Sequence, residues 1–209
     1  MIKRLIFDLD NTLIKWLPEY TSAIVKTLKE FNLDLDYKKI DEVTAMMEYK
    51  HTKLTTKLLL DEINNNCNSK LTIDFVNRLL ENQKALAPLD DYETVSTLEY
   101  LSSKYDLVIL TNWFTDCQAG RLETLGVKKF FTDFYGSDIV PMKPNPESYK
   151  LAAGNYKIEE CIMIGDNIKT DIEGALNIGM KVILCDLNDK FDKVEYPIIK
   201  KTSDLKEML

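Results

Sequence analysis

The sequence predicts a doubly wound α/β fold: a parallel sheet with helices on both faces, interrupted early by an inserted helical unit. Three observations carry this. Four short runs, KRLIFDLD (3–10), DLVILTN (106–112), CIMIGDN (161–167) and KVILCD (181–186), are apolar almost without a break. Strands read this way when helices cover both faces of a parallel sheet. After residue 90 such runs alternate with helical patterns, as a doubly wound domain requires. Between about 15 and 88 no strand pattern occurs and several helical ones do.

The elements follow in chain order. The first strand is 3–10. Leu17, Tyr20, Ile24, Leu28 and Phe31 keep helical spacing, with Pro18 suited to a first turn. TTKLLLDEINNNC and TIDFVNRLLENQKAL continue the helical theme, NNNCNSK (64–70) reads as a turn, and Pro88 marks the return to the α/β core. The expected organisation is a core of 1–14 plus 89–209 and a helical unit of 15–88. In the core, 90–104 places Val95, Leu98 and Leu101 on one helical face. The helices 115–126 and 169–180 each close near a glycine, Gly126 and Gly179. DFYGSDI (133–139) is a weaker strand and YPIIKK (196–201) a last edge strand. No internal repeat is present.

Composition narrows the function. Lys and Arg number 27 against 34 Asp and Glu, a formal charge of −7. That balance lacks the basic face of a nucleic-acid binder and does not steer anions from a distance. An anionic ligand needs a local cation or a metal. Cys67, Cys117, Cys161 and Cys185 form no CxxC pair, and Cys161 and Cys185 sit in apolar runs as core residues. This suits a reducing compartment. The chain enters a strand pattern at once, and no apolar stretch approaches the roughly 20 residues of a membrane span. A soluble, cytoplasmic protein without a nucleic-acid or membrane partner is expected.

Four short polar pieces end core strands or precede core helices. Asp8 and Asp10 close the first strand; at i and i+2 they project to one side, at the edge where open α/β sheets bind ligands. Thr111 and Asn112 close the second. Lys143 stands between Pro141 and Pro144 before a helix near Pro146, a fixed cation suited to an anion. Asp166 and Asp171 follow the CIMIG run. Taken singly, each has an ordinary reading as a solvated strand end, a turn, a surface lysine or a helix cap. In a parallel sheet, however, all four share one edge and up to four carboxylates converge. Two such charges at 4 Å repel by ~4 kcal/mol at an effective dielectric of 20. Oxygen donors without His or Cys point to a hard divalent cation, Mg²⁺.

In this order the pieces resemble the haloacid dehalogenase (HAD) superfamily, in the phosphatase branch with a helical cap after the first strand. DLDNT resembles its DxDxT motif, LTN its second, KPNPESY its third, and GDNIKTDIEGALNIG its fourth, across residues 4–180. The resemblance implies a Rossmann-like core and hydrolysis of a small phosphorylated metabolite. It implies that Asp8 is the nucleophile forming an aspartyl-phosphate and Asp10 the general acid, then base. Thr111, Asn112 and Lys143 would bind the phosphoryl group. Mg²⁺ would be held by the Asp8 carboxylate, the Asp10 carbonyl and Asp166, with Asp171 close by.

Some residues depart from the pattern or bear on the branch. Trp113, Phe114 and Met142 are bulkier than the family's usual residues; they either line the pocket or pack under the cap. Asp10 speaks against a dehalogenase, which needs no acid for an alkoxide. A phosphomutase of the β-phosphoglucomutase type is the nearest rival. It carries a His at the start of its cap, where IKWLPEYTS has none; the single histidine is His51. A non-catalytic phosphate-binding regulator on the same fold is the remaining alternative. Trp16, Glu19, Tyr20, Lys50, His51, Lys53 and Arg78 are cap residues that could face a substrate, and the sequence does not say which of them do.

Overall fold

A computed structural model describes residues 1–14, 19–50, 52–86, 92–191 and 194–209. Leu17, Trp16, Pro18, His51 and Pro88 lie outside the described residues, as do the residues at or beside both expected joins of core and helical unit. Six parallel strands form one sheet in the order β3-β2-β1-β4-β5-β6. They are β1 (Arg4–Phe7), β2 (Asp106–Leu110), β3 (Asp133–Tyr135), β4 (Cys161–Gly165), β5 (Lys181–Cys185) and β6 (Ile198–Ile199). Leu5 and Phe7 enter the cluster on one face with Leu98, Leu101 and Ile109. Ile6 enters the other with Val108, Tyr149 and Met163. Burial of both faces is why these strands read as continuous apolar runs. Cys161 and Cys185 are buried within them.

The reversal of strand order at β1 and β4 places the ends of β1, β2 and β4 side by side. β1 stops at Phe7, shorter than the 3–10 run. The chain turns there because Asn11 takes a left-handed conformation (φ 59°) and the amides of Leu13 and Ile14 bond back to the Leu9 carbonyl at 2.9 and 3.0 Å. Asp8 and Asp10 therefore sit on the loop beyond the strand.

Between β1 and the core helix α5 (Tyr92–Ser102) lie α1 (Glu19–Glu30), α2 (Tyr37–Met47), α3 (Thr56–Cys67) and α4 (Ile73–Lys84). Tyr20, Ile24 and Leu28 are buried at the predicted spacing, whereas Phe31 is partly exposed. The asparagine-rich stretch is mostly the end of α3. Only Asn68 turns left-handed, and the Asn64 side chain closes the turn on the Leu71 main chain at 2.7 and 3.1 Å. Trp113, Phe114 and Met142 join the apolar cluster of these four helices. This resolves their two readings: they pack beneath the helical unit. α6 (Thr115–Thr124), α7 (Pro146–Ala153), a π-helical turn (Ile168–Glu173) running into α8 (Gly174–Leu176), and α9 (Leu205–Met208) complete the fold. Among the described residues, no helix is long and apolar enough to cross a membrane.

Candidate active site

A cleft of about 240 Å³ opens at the carboxyl edge of the sheet. All seven site residues predicted from sequence line it: Asp8, Asp10, Thr111, Asn112, Lys143, Asp166 and Asp171. They arrive from four loops, as the parallel topology demands.

Lys143 is the centre of one side. Its Nζ lies 2.6 Å from Asp8 Oδ1 and 2.6 Å from Asp171 Oδ1, and the residue is buried. Burial alone would lower its pKa, but Asp171 and Asp8 outweigh burial and hold it above the ordinary lysine value. Asp171 is fixed further by the Asn167 amide on Oδ2 at 3.0 Å. The residue at 165 must be glycine, because a Cβ there would meet Asp171 Oδ2 at 2.3 Å. The Asp8 amide donates to the Ile164 carbonyl at 2.8 Å, which ties the proposed nucleophile to the neighbouring strand.

The carboxylates of Asp8, Asp166 and Asp171 each offer an oxygen within 4.8 Å of the others. At that spacing a charged pair costs about 3 kcal/mol at an effective dielectric of 20. Burial first, with Lys143 opposing and the other two aspartates adding, raises the Asp8 pKa. Burial and Asp171 push Asp166 up to about 6. The lysine does not satisfy the cluster alone. An all-oxygen donor set with surplus negative charge fits a hard divalent cation.

Asp10 faces the other way. Oδ1 accepts from Arg121 Nη1 at 2.8 Å, and Oδ2 accepts from Gln118 Nε2 at 2.9 Å. The Tyr20 hydroxyl, from α1, donates to both oxygens at 3.2–3.3 Å and itself accepts from Arg121. The Arg121 guanidinium also stacks 4.6 Å above the Tyr20 ring and donates to the Leu86 carbonyl at 3.0 Å. Arg121 is fully buried; Asp10 and Tyr20 offset the cost of its desolvation. Gln118 also donates to Thr111 Oγ1 at 3.2 Å, which leaves the Thr111 hydroxyl proton for an acceptor in the cleft.

Asn112 brackets the Lys143 main chain, accepting from its N–H at 2.8 Å and donating to its carbonyl at 3.0 Å. The same amide donates to the Glu48 carbonyl at 3.2 Å. Its side chain thus organises the loop, and any phosphate contact from Asn112 falls to its main chain. This narrows the expected phosphate-binding role.

Gln118, Arg121 and Glu48 escaped the sequence reading. Gln118 and Arg121 stand three apart on α6 and so share one face. The signal was a polar pair where a helix packed on a sheet should be apolar. Glu48 caps α2 beside the cleft, without a motif to mark it; burial first, then Asp10, push its carboxyl up to about 8. Of the cap residues singled out in the sequence, Tyr20 reaches Asp10, Lys50 pairs with Glu62 and Arg78 with Glu30. Lys53 is exposed.

A family profile described as haloacid dehalogenase-like hydrolase matches residues 2–179. The chain belongs to this family. A glyceraldehyde 3-phosphate phosphatase of Methanothermobacter thermautotrophicus is 29% identical over 100% of both chains. A phosphoglycolate phosphatase of Aquifex aeolicus is 29% identical over 86% of this chain and 83% of that one. Among solved structures, the putative HAD-hydrolase YfnB of Bacillus subtilis superposes with a TM-score of 0.77 at 18% identity, covering 99% of this chain and 98% of that one. This last likeness shows the shared fold.

Proposed function

We propose that this enzyme, a phosphatase of the haloacid dehalogenase-like family, hydrolyses the monoester of a small phosphorylated metabolite through an aspartyl-phosphate on Asp8. The observation that carries the reading is the pairing of two differently held carboxylates in one cleft. Asp8 sits in the cationic and acidic cluster with Lys143, and Asp10 sits across from it in hydrogen-bond contact with Arg121, Gln118 and Tyr20.

Asp8 Oδ attacks phosphorus while Lys143 and the Thr111 hydroxyl take up charge on the phosphoryl oxygens. Asp10 enters the reaction protonated and gives that proton to the departing ester oxygen; left as the carboxylate that Arg121 and Gln118 hold, it then removes a proton from the water that attacks the aspartyl-phosphate. Asp8, Asp166 and the Asp10 carbonyl would hold Mg²⁺, with Asp171 beside them. When bound, the ion neutralises the cluster and draws negative charge off the transferring group. Asp171, locked to Lys143 and the Asn167 amide, keeps the lysine aimed at Asp8.

The test is metal dependence of p-nitrophenyl phosphate hydrolysis. EDTA is expected to abolish turnover and Mg²⁺ to restore it. Full activity in rigorously metal-free protein would overturn the assignment.

A further inference from the structure

In the described part of α1–α4 and their loops, the residues lining the cleft are Glu48 and Tyr49. Glu48 is half-buried, and its carboxyl has no hydrogen-bond or ion-pair partner among the described residues. Its position is nonetheless fixed. Its N–H closes α2 on the Ala45 and Met46 carbonyls. Its carbonyl is held by Asn112, the same side chain that brackets Lys143. The phosphate end of the cleft and the main chain that carries this carboxyl are thus in register through one amide.

The charge of the cleft points the same way. Five acids line it, Asp8, Asp10, Glu48, Asp166 and Asp171, against Lys143 and Lys190. Lys143 is committed to Asp8 and Asp171, and Lys190 lies 3.7 Å from Asp166. A substrate brings its phosphate to the Lys143 side, which leaves its other end facing Glu48. An anionic group there meets an acid that has no partner and, among the described residues, no further cation in the cleft. A hydroxyl there gives that acid the donor it lacks.

Resting on the phosphatase reading above, we propose that Glu48 is a specificity-determining residue that accepts a hydrogen bond from a hydroxyl on the leaving group. The preferred substrates are then phosphate esters of neutral, hydroxylated metabolites such as sugars and polyols. Esters whose leaving group carries a carboxylate are disfavoured.

Three esters that differ only at the terminal carbon test this with Mg²⁺-loaded protein at pH 9, where Glu48, pushed up to about 8 by burial and Asp10, is ionised: ethyl phosphate, 2-hydroxyethyl phosphate and phosphoglycolate. Glycerol 3-phosphate and 3-phosphoglycerate repeat the contrast on a longer frame. The hydroxyl esters should exceed ethyl phosphate in kcat/KM by roughly tenfold, the scale of a hydrogen bond to a charged group. They should exceed their carboxylate partners by more. Glu48→Gln keeps the shape and removes the charge, so the hydroxyl-to-carboxylate ratio should fall about tenfold or more. A wild-type enzyme that takes the carboxylate esters as well as the hydroxyl ones overturns the inference. So does a Glu48→Gln variant that scales every ester equally. These outcomes leave the phosphatase reading standing. Failure to hydrolyse any ester, p-nitrophenyl phosphate included, overturns that reading and this inference with it.

Discussion

Asp8 and Asp10 are two residues apart in sequence, yet different parts of the molecule hold them. Asp8 is held by the core: by the main chain of β4, by Lys143 after β3, and through Lys143 by Asp171. Asp10 is held by Gln118 and Arg121 of α6 and by Tyr20 of α1. The Asp8 side is a set of strand ends held in register by the sheet. The Asp10 side is a buried polar network that spans core and helical unit. Such networks depend on every member being satisfied. On the proposed mechanism, phosphate chemistry rests on the core side, while proton transfer rests on residues whose positions depend on how the inserted helices sit.

The sharpest way to break this comparison is to remove each acid in turn. Asp8→Asn is expected to lower turnover by on the order of 10⁴-fold or more, with no phosphoenzyme from any substrate. Asp10→Asn should cost roughly 10²–10⁴-fold, unevenly. Phosphorylation should slow more for an alkyl phosphate than for p-nitrophenyl phosphate, whose leaving group is stable without a proton. Dephosphorylation should slow for both. Rapid mixing separates the two steps. Equal slowing of phosphorylation with both leaving groups would erase the division of labour.

Arg121 tests the network itself. Arg121→Met removes one partner of a buried ion pair and leaves the carboxyl of Asp10 uncompensated, a change that costs about 3–5 kcal/mol of stability. Urea unfolding should show that loss. Gln118→Leu is the milder probe, since it removes one donor to Asp10 and one to Thr111. It should slow alkyl phosphates more than p-nitrophenyl phosphate, by about tenfold. A uniform slowing would make Gln118 a packing residue rather than one that positions Asp10.

The contrast also explains what the sequence reveals. The Asp8 side is local: each residue ends an apolar run or follows one by a few positions, so the strand pattern and the parallel topology together place Asp8, Lys143, Asp166 and Asp171. The paired strands themselves read clearly because both faces are buried. Lys143 reaches Asp8 across 135 residues, yet its flanking prolines mark it; Gln118 and Arg121 carry no such local mark and reach Asp10 and Tyr20 across 101–111 residues from within a helix. A buried arginine on a helix looks like a surface arginine until its partners are known. Glu48 was hidden for the same reason. Trp113 and Phe114 illustrate the converse: their bulk beside Thr111 marks an unusual loop, and only packing shows that it serves the apolar core of the helical unit.

A pH experiment separates the sides more gently. Asp166 titrates at about 6 in the folded chain, and Asp8 is also raised, whereas an unfolded aspartate titrates near ~3.9. Between these values the native state binds more protons than the unfolded one. Metal-free protein should therefore lose stability as pH rises from about 4 through about 6. On the proposed metal assignment, Mg²⁺ would compete for the same oxygens. Its affinity should rise by about tenfold per pH unit over that range, for one proton displaced, and level off above it. Calorimetric titration at several pH values measures this. Asp166→Asn should flatten the slope and Gln118→Leu should leave it intact. A slope that survives Asp166→Asn would place the proton elsewhere.

The smallest expected effect belongs to the contact that joins the sides. Tyr20→Phe removes one hydroxyl and leaves the ring beneath Arg121, 4.6 Å from its guanidinium. Asp10 keeps its bonds from Arg121 and Gln118, so about 2 kcal/mol of stability is at stake, for the bond donated to Asp10 and the one accepted from Arg121. The rate consequence should be less than tenfold and confined to steps that need Asp10. Burial raises the Tyr20 pKa well above its usual value, so the hydroxyl stays a donor throughout the working range and the effect should not vary with pH. If Tyr20→Phe instead slows alkyl-ester phosphorylation as severely as Asp10→Asn, the α1 hydroxyl is what places the acid. The Arg121 and Gln118 contacts would then be secondary, and the division between a core-held nucleophile and an acid shared between core and helical unit would become a division between the core and α1 alone.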